Sequence, residues 1–146
     1  MKNILSLFFV GFLTLGINNA NAVTLQPCSV DEFKVSIGDR VLFNYDSYEL
    51  TPDAKVILDR EIDWLKKCPQ QYSFTLEGHA DNRGTREYNL GLGERRATTV
   101  KKYMVAAGID SQRIQTISYG KERPVVIGEN EVAWSLNRRA VLILNR

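Results

Sequence analysis

The chain has 146 residues, 44% hydrophobic and 25% charged, enough apolar residue for one cored domain and too much for a disordered chain. Its 19 basic and 17 acidic side chains leave a formal charge of +2, a balance with no electrostatic footprint for nucleic-acid binding. One histidine and two cysteines exclude a structural zinc site built of Cys and His alone, which needs four ligands.

The chain opens with the basic Met1-Lys2-Asn3, then an almost wholly apolar run from Ile4 to Ile17. A helix of that length spans roughly 21 Å at 1.5 Å per residue, short of a ~30 Å hydrocarbon core. Ala20-Asn21-Ala22 follows as a small-x-small cleavage box, so residues 1–22 are expected to be a secretory signal peptide. Export to an oxidising compartment permits a disulfide, and Cys28 and Cys68 allow only one pairing. The rival fate of Cys28 is acylation. Leu25-Gln26-Pro27 precede it, and a proline there is a poor match to a lipobox, so the disulfide is the expectation.

Residues 23–32 read as a lead-in segment and 33–146 as the domain. Phe33 to Ile37 alternates apolar and polar, predicting a short N-terminal strand. Gly38-Asp39 signals a turn, and Val41, Phe43 and Tyr45 predict a strand over Arg40–Tyr45. Thr51-Pro52-Asp53 opens a helix with a cap, a first-turn proline and an acidic residue at the positive end. Ala54, Ile57, Leu58, Ile62 and Leu65 give that helix one apolar face, and Pro69 ends it. Tyr72, Phe74 and Leu76 predict a strand, Gly78 to Thr85 a polar loop, and Arg86 to Ala107 a second helix stopped by Gly108. Ile114–Tyr119 reads as a strand, Glu131–Asn137 as a short helix, and Arg139–Leu144 as a central strand, apolar on both sides. The order predicts a two-layer α/β sandwich, a mixed sheet of about four strands with helices on one face.

His79 is the obvious catalytic candidate, but no nucleophile motif accompanies it, and a lone loop histidine is read as structural. Gly91-Leu92-Gly93 partly matches a dinucleotide fingerprint, yet Arg96 replaces the third glycine and no strand precedes it. Asp81-Asn82-Arg83-Gly84 lacks the remaining oxygen ligands of a calcium loop. No catalytic constellation, metal site or cofactor is therefore expected. The anomaly is in the second helix. Asn89, Leu92, Arg96, Val100, Tyr103 and Ala107 step at three or four, which puts Arg96 on the inward stripe. A buried arginine requires a partner, and Asp81 is the candidate. From the residues alone the pair is either a structural salt bridge or a clamp for an amino-acid head group, Arg96 taking the carboxylate and Asp81 the ammonium.

The stretch from Glu77 to Ala97, with Gly78-His79-Ala80-Asp81-Asn82-Arg83-Gly84-Thr85 at its head, resembles the signature of OmpA-like peptidoglycan-binding domains. Phe43 to Leu50, Ile117 to Pro124 and Asn137-Arg138-Arg139-Ala140-Val141 agree in order, so the resemblance covers Phe33 to Leu144. Within the family it is nearest the peptidoglycan-associated lipoprotein type, from which the weak lipobox departs. The resemblance implies the OmpA C-terminal-domain fold and non-enzymatic binding of the peptide stem through meso-diaminopimelate. It implies a place in the periplasm at the outer membrane, in a Tol-Pal-type envelope and cell-division system with a TolB-like partner. Asp81 and Arg96 fall on its ligand-binding pair. Phe43, Asp46, Tyr48 and Leu92 become candidate pocket walls, and Asn89, Asn137 and Arg138 supporting residues. The rivals are a soluble periplasmic wall binder without Tol contact and a cell-wall hydrolase, for which no acid pair, metal site or nucleophile is evident.

Overall fold

The computed structural model describes residues 24–68 and 71–145; the expected signal peptide and the Pro69 stop lie outside them. The chain enters through a one-turn helix α1 (Val30–Glu32) that runs into a π-helical turn, Phe33–Ile37. The strand expected over Phe33–Ile37 is thus a helical turn. Ser29 caps it, its Oγ accepting from Glu32 N at 3.0 Å, and Phe33 packs its ring 4.8 Å from that of Trp64. Half-buried alternation would have needed Val35 inside, yet Val35 is 73% exposed. Phe33 and Ile37, one helical turn apart, meet the core instead.

Strand β1 spans Arg40–Leu42, shorter than the expected Arg40–Tyr45. Asp46 takes a left-handed backbone, φ +49°, and Ser47 N turns back onto Asn44 O, so the extended run breaks. Helix α2 (Pro52–Lys67) follows, capped by Thr51 Oγ1 on Ala54 N at 3.1 Å. Strand β2 (Phe74–His79), helix α3 (Arg86–Ala106), strand β3 (Ile114–Gly120), helix α4 (Glu131–Asn137) and strand β4 (Arg139–Leu144) complete the fold. Gly108 stops α3 at φ +100°, a conformation other residues adopt at a cost.

The sheet order is β1-β4-β2-β3, with β2 and β3 parallel and the other pairs antiparallel. β4 therefore lies inside the sheet, which explains its apolar residues on both sides. Phe74 pairs with Leu144, Leu76 with Leu142 and Val41 with Ala140. These residues share one face and form one core with Leu58, Ile62 and Leu65 of α2 and Ala97, Val100 and Met104 of α3. Both long helices thus cover the same side of the sheet.

Two glycines set how closely α3 lies on β2. A Cβ on Gly78 would stand 1.7 Å from the Gly93 carbonyl oxygen, and one on Gly93 would stand 2.8 Å from the Gly78 oxygen. Gly93 is thus a contact glycine, and the close approach lets Arg96, three residues further along α3, reach the end of β2.

The lead-in is fastened at the opposite end of β2. Cys28 and Cys68 form a disulfide with Cα atoms 5.4 Å apart, so the Cys28 sulfur is not free for a thioether. Glu32 Oε2 accepts from Cys28 N at 2.6 Å and from Trp64 Nε1 at 2.9 Å. Tyr72 OH donates to Cys28 O at 2.8 Å.

Candidate ligand-binding site

A cleft with about 380 Å³ of empty volume opens where β2 ends and α3 begins, beside the loop after β1. Its lining includes Asp81, Arg96, Asp46 and Leu92, together with Tyr45, Arg83 and Tyr88. Asp81 and Arg96 are thus brought to one cleft, but not as a direct salt bridge. Arg96 is fully buried and is satisfied by backbone: Nε donates to Ser47 O at 2.8 Å, Nη1 to His79 O at 2.8 Å and Nη2 to Asn44 O at 3.2 Å. Three carbonyl oxygens at the mouths of two loops do the work expected of one carboxylate. A guanidinium has five N–H donors, so two remain. Burial pulls the Arg96 pKa down to about 10, repulsion from Arg138 adds to this, and Asp81 and Asp46 oppose it; the group stays charged at neutral pH.

Asp81 is paired elsewhere. Its Oδ1 accepts from Arg83 N at 3.1 Å and Arg83 Nε at 3.2 Å, and its Oδ2 from Arg83 Nη2 at 2.7 Å. Arg138 Nη1 stands 3.6 Å from Oδ2. Burial pushes this carboxyl up, but the Arg83 hydrogen bonds and the charges of Arg83 and Arg138 outweigh it and hold it below the ordinary range. The Arg83 guanidinium is itself sandwiched, its Cζ 4.1 Å from the Tyr45 ring centroid and 3.9 Å from that of Trp134. Such stacking suits a planar cation over aromatic faces.

The remaining candidates have defined places. Asp46 accepts from Tyr88 OH across the cleft. Phe43 lies in the core, 5.2 Å from Arg96 Cζ, rather than on the cleft wall. Tyr48 also lies off the wall, beside Arg95 at 5.5 Å; Tyr45, itself largely exposed, lines the cleft in its stead. Asn89 Nδ2 donates to Arg83 O at 2.7 Å and Thr85 O at 3.0 Å, holding the loop to the start of α3. Asn137 Oδ1 accepts from Val125 N and Val126 N, at 2.7 and 3.1 Å, which pins the segment before α4. Arg138 Nε donates to Phe43 O at 2.9 Å and Nη2 to Glu131 Oε1 at 2.6 Å. It therefore ties β4 to the loop after β1 as well as facing Asp81.

His79 is 1% exposed with its Nδ1 unpartnered. Burial, then the charges of Arg139, Arg123 and Arg40, bring its pKa down to about 3. A neutral, shielded imidazole of that kind is a weak base and does not front the cleft. Among the described residues no three His, Cys, Asp or Glu side chains gather as a metal site.

Sequence reasoning missed Arg83, Tyr45 and Trp134. Arg83 stands two residues from Asp81, where an Asx-type turn brings a side chain back onto its own loop, and that signal was legible. Trp134 comes from α4, far along the chain, and nothing local announces it.

The pattern of the OmpA family matches residues 42–138, which include the whole cleft. The peptidoglycan-associated lipoprotein of Mesorhizobium japonicum is 50% identical over 131 residues, covering 90% of this chain and 76% of that protein. The protein of the same name from Pseudomonas aeruginosa is 43% identical over 123 residues, covering 84% and 72%. The crystal structure of the peptidoglycan-associated lipoprotein from Burkholderia pseudomallei superposes with a TM-score of 0.71 at 35% identity, covering 77% of this chain and 96% of that one. The C-terminal domain of Helicobacter pylori MotB shares the fold, with a TM-score of 0.68 at 20% identity, over 74% of this chain and 84% of its own. With a family match that runs from the end of β1 through α4 and takes in the whole cleft, and a relative 50% identical over 90% of the chain, this chain belongs to the OmpA family.

Proposed function

We propose that this protein binds peptidoglycan without catalysis, gripping the free amino-acid centre of meso-diaminopimelate in the stem peptide, and so ties the cell wall to the outer membrane from the periplasm. Its relatives named peptidoglycan-associated lipoprotein support the wall-binding part. A place in a Tol-Pal-type system with a TolB-like partner is part of the same proposal and rests on the motif resemblance alone. The observation that carries the site is that Asp81 and Arg96, two buried charges of opposite sign, line one cleft. The ligand's ammonium goes to the Asp81 carboxylate. Its carboxylate goes to the two Arg96 N–H groups that the backbone leaves free, a two-pronged contact that only a guanidinium makes.

The test is calorimetry with a stem peptide ending in meso-diaminopimelate, against wild type, Asp81→Asn and Arg96→Lys. Each variant keeps the shape of the cleft better than alanine does. Each is expected to lose about 2–5 kcal/mol of binding, the cost of leaving a desolvated charge unpaired. Wild-type affinity in both folded variants would reduce the pair to scaffolding. Incubation with whole sacculi, with no soluble fragments released, checks the non-catalytic part.

A further inference from the structure

The cleft has a neighbour. A second groove, with about 490 Å³ of empty volume, runs along the outer side of α3 and is lined by Tyr48, Glu94, Arg95, Thr98, Thr99 and Lys102. Tyr88 joins the two. It lines the cleft, and Arg95 Cζ stands 5.8 Å from its ring centroid and 5.5 Å from that of Tyr48. Arg95 follows Arg96 in sequence but leaves the helix roughly 100° further around, so Arg96 is buried and Arg95 is exposed in the groove. Helical side chains lean toward the N-terminus of their helix. Arg95 does so: its Nη1 is 3.5 Å from the place of a Cβ on Gly91, one turn back along α3 toward the cleft. The acids around it are engaged elsewhere. Glu94 Oε1 accepts from Thr98 Oγ1 at 3.4 Å and Thr116 Oγ1 at 3.3 Å, and Asp46 accepts from Tyr88 OH. Among the described residues no carboxylate forms an ion pair with Arg95 or Lys102. A guanidinium set against ring faces keeps its N–H edge for an acceptor in its own plane.

We infer that Arg95 is a second anion contact for the same ligand, taking a carboxylate that belongs to the stem peptide's chain rather than to the free diaminopimelate centre. The inference rests on the reading that Asp81 and Arg96 hold that centre. A stem tetrapeptide carries two further carboxylates: the α-carboxylate of the D-isoglutamyl residue before diaminopimelate, and the D-alanine terminus after it. Both belong to residues joined directly to diaminopimelate, so each lies within about two residue lengths, roughly 7 Å, of the point of attachment. A planar, ring-backed guanidinium beside the cleft suits either one. Lys102, about 10 Å further along α3, supplies background charge rather than a shared contact. The groove thus reads the anionic backbone of the peptide, while the cleft reads the end of one side chain.

The experiment is calorimetry with three diaminopimelate tetrapeptides: one unmodified, one with the D-isoglutamyl carboxylate amidated, and one ending in D-alaninamide. Each is titrated into wild type, Arg95→Gln and Lys102→Gln, with circular dichroism to confirm folding. Arg95→Gln is expected to bind the unmodified peptide roughly three- to fivefold more weakly, the size of an exposed charge pair. One of the two amides should bind wild type more weakly by the same factor and lose nothing further on Arg95→Gln; that peptide names the carboxylate. Lys102→Gln should cost less than about twofold, and that cost should fade with added salt. An unchanged affinity in Arg95→Gln overturns the inference. An equal loss across all three peptides also overturns it, because Arg95 would then only prop Tyr88 and Tyr48. A loss as large in Lys102→Gln overturns it in favour of a general field. In each of these cases the peptide still binds, so the reading of the cleft stands. Failure of wild type to bind the unmodified peptide overturns both.

Discussion

Strand β2 runs between two regions built on opposite rules. At its start, Phe33, Trp64 and Tyr72 pack together beside the Cys28–Cys68 disulfide, and order comes chiefly from apolar area and a covalent tie, with the Glu32 and Tyr72 hydrogen bonds added. At its end, Asp81, Arg83, Arg96 and Arg138 gather among the rings of Tyr45, Trp134 and Phe43, and their order comes from hydrogen bonds between charged side chains and to loop carbonyls. Apolar packing is tolerant, because one methylene more or less is a graded cost. A buried charge network is unforgiving, because removing one member strands the others. The region that must hold a charged ligand in a fixed geometry is the one built on the unforgiving rule.

The largest test of that contrast is Arg96→Ala. It leaves the carbonyls of Asn44, Ser47 and His79 without their donor and is expected to lower unfolding free energy by about 3–5 kcal/mol. Urea denaturation measures it, with Arg96→Lys as a milder companion. A loss under about 1 kcal/mol would mean that the loops hold themselves. Next in size is the double change Cys28→Ser with Cys68→Ser. Closing a loop of this length is worth up to about 4 kcal/mol, less native strain. The cost should appear in denaturation, while affinity for the diaminopimelate peptide stays at wild type. If affinity falls as well, the two regions are coupled through β2.

The smallest effect is one of pH, with one buried group on each side. Glu61, on the core-facing side of α2, is 1% exposed with Oε1 unpartnered. Burial first, and the charge of Asp39 second, raise its pKa from 4.5 to about 8. The folded state thus holds a proton that the unfolded state gives up, so stability from this group is full below about pH 4.5 and is lost as pH rises to 8. Glu61→Gln should flatten that slope and gain about 1–3 kcal/mol at pH 8. His79, beneath the cleft, works the other way. With its pKa lowered from 6.5 to about 3, its stabilising effect is full above about pH 6.5 and is lost as pH falls toward 3. Its imidazole NMR signals should stay those of the neutral ring down to about pH 4. Titration near 6.5 would mean that water reaches the ring in solution.

The amino-acid order by itself determined most of the scaffold. The cap at Thr51, the stop of α3 at Gly108, β2, β3, α4 and β4, and the inward place of Arg96 all rest on local chemistry that a short window carries. The period of hydrophobicity alone could not decide Phe33–Ile37, because five residues with apolar positions at every second place also fit a turn that buries only its ends. Packing of Phe33 against Trp64, some 30 residues away, decided it. The same limit applies at the cleft. That Arg96 needed partners followed from its burial, but which partners did not, because they are backbone atoms of two loops that close only when β1, β2 and α3 meet. The Asp81–Arg83 pair is local, two residues apart, but tertiary structure set Arg138 beside Asp81 and drew Trp134 from α4 over Arg83. Charge pairing in a folded chain follows distance through space, and distance through space is set by the whole sheet rather than by any stretch of it.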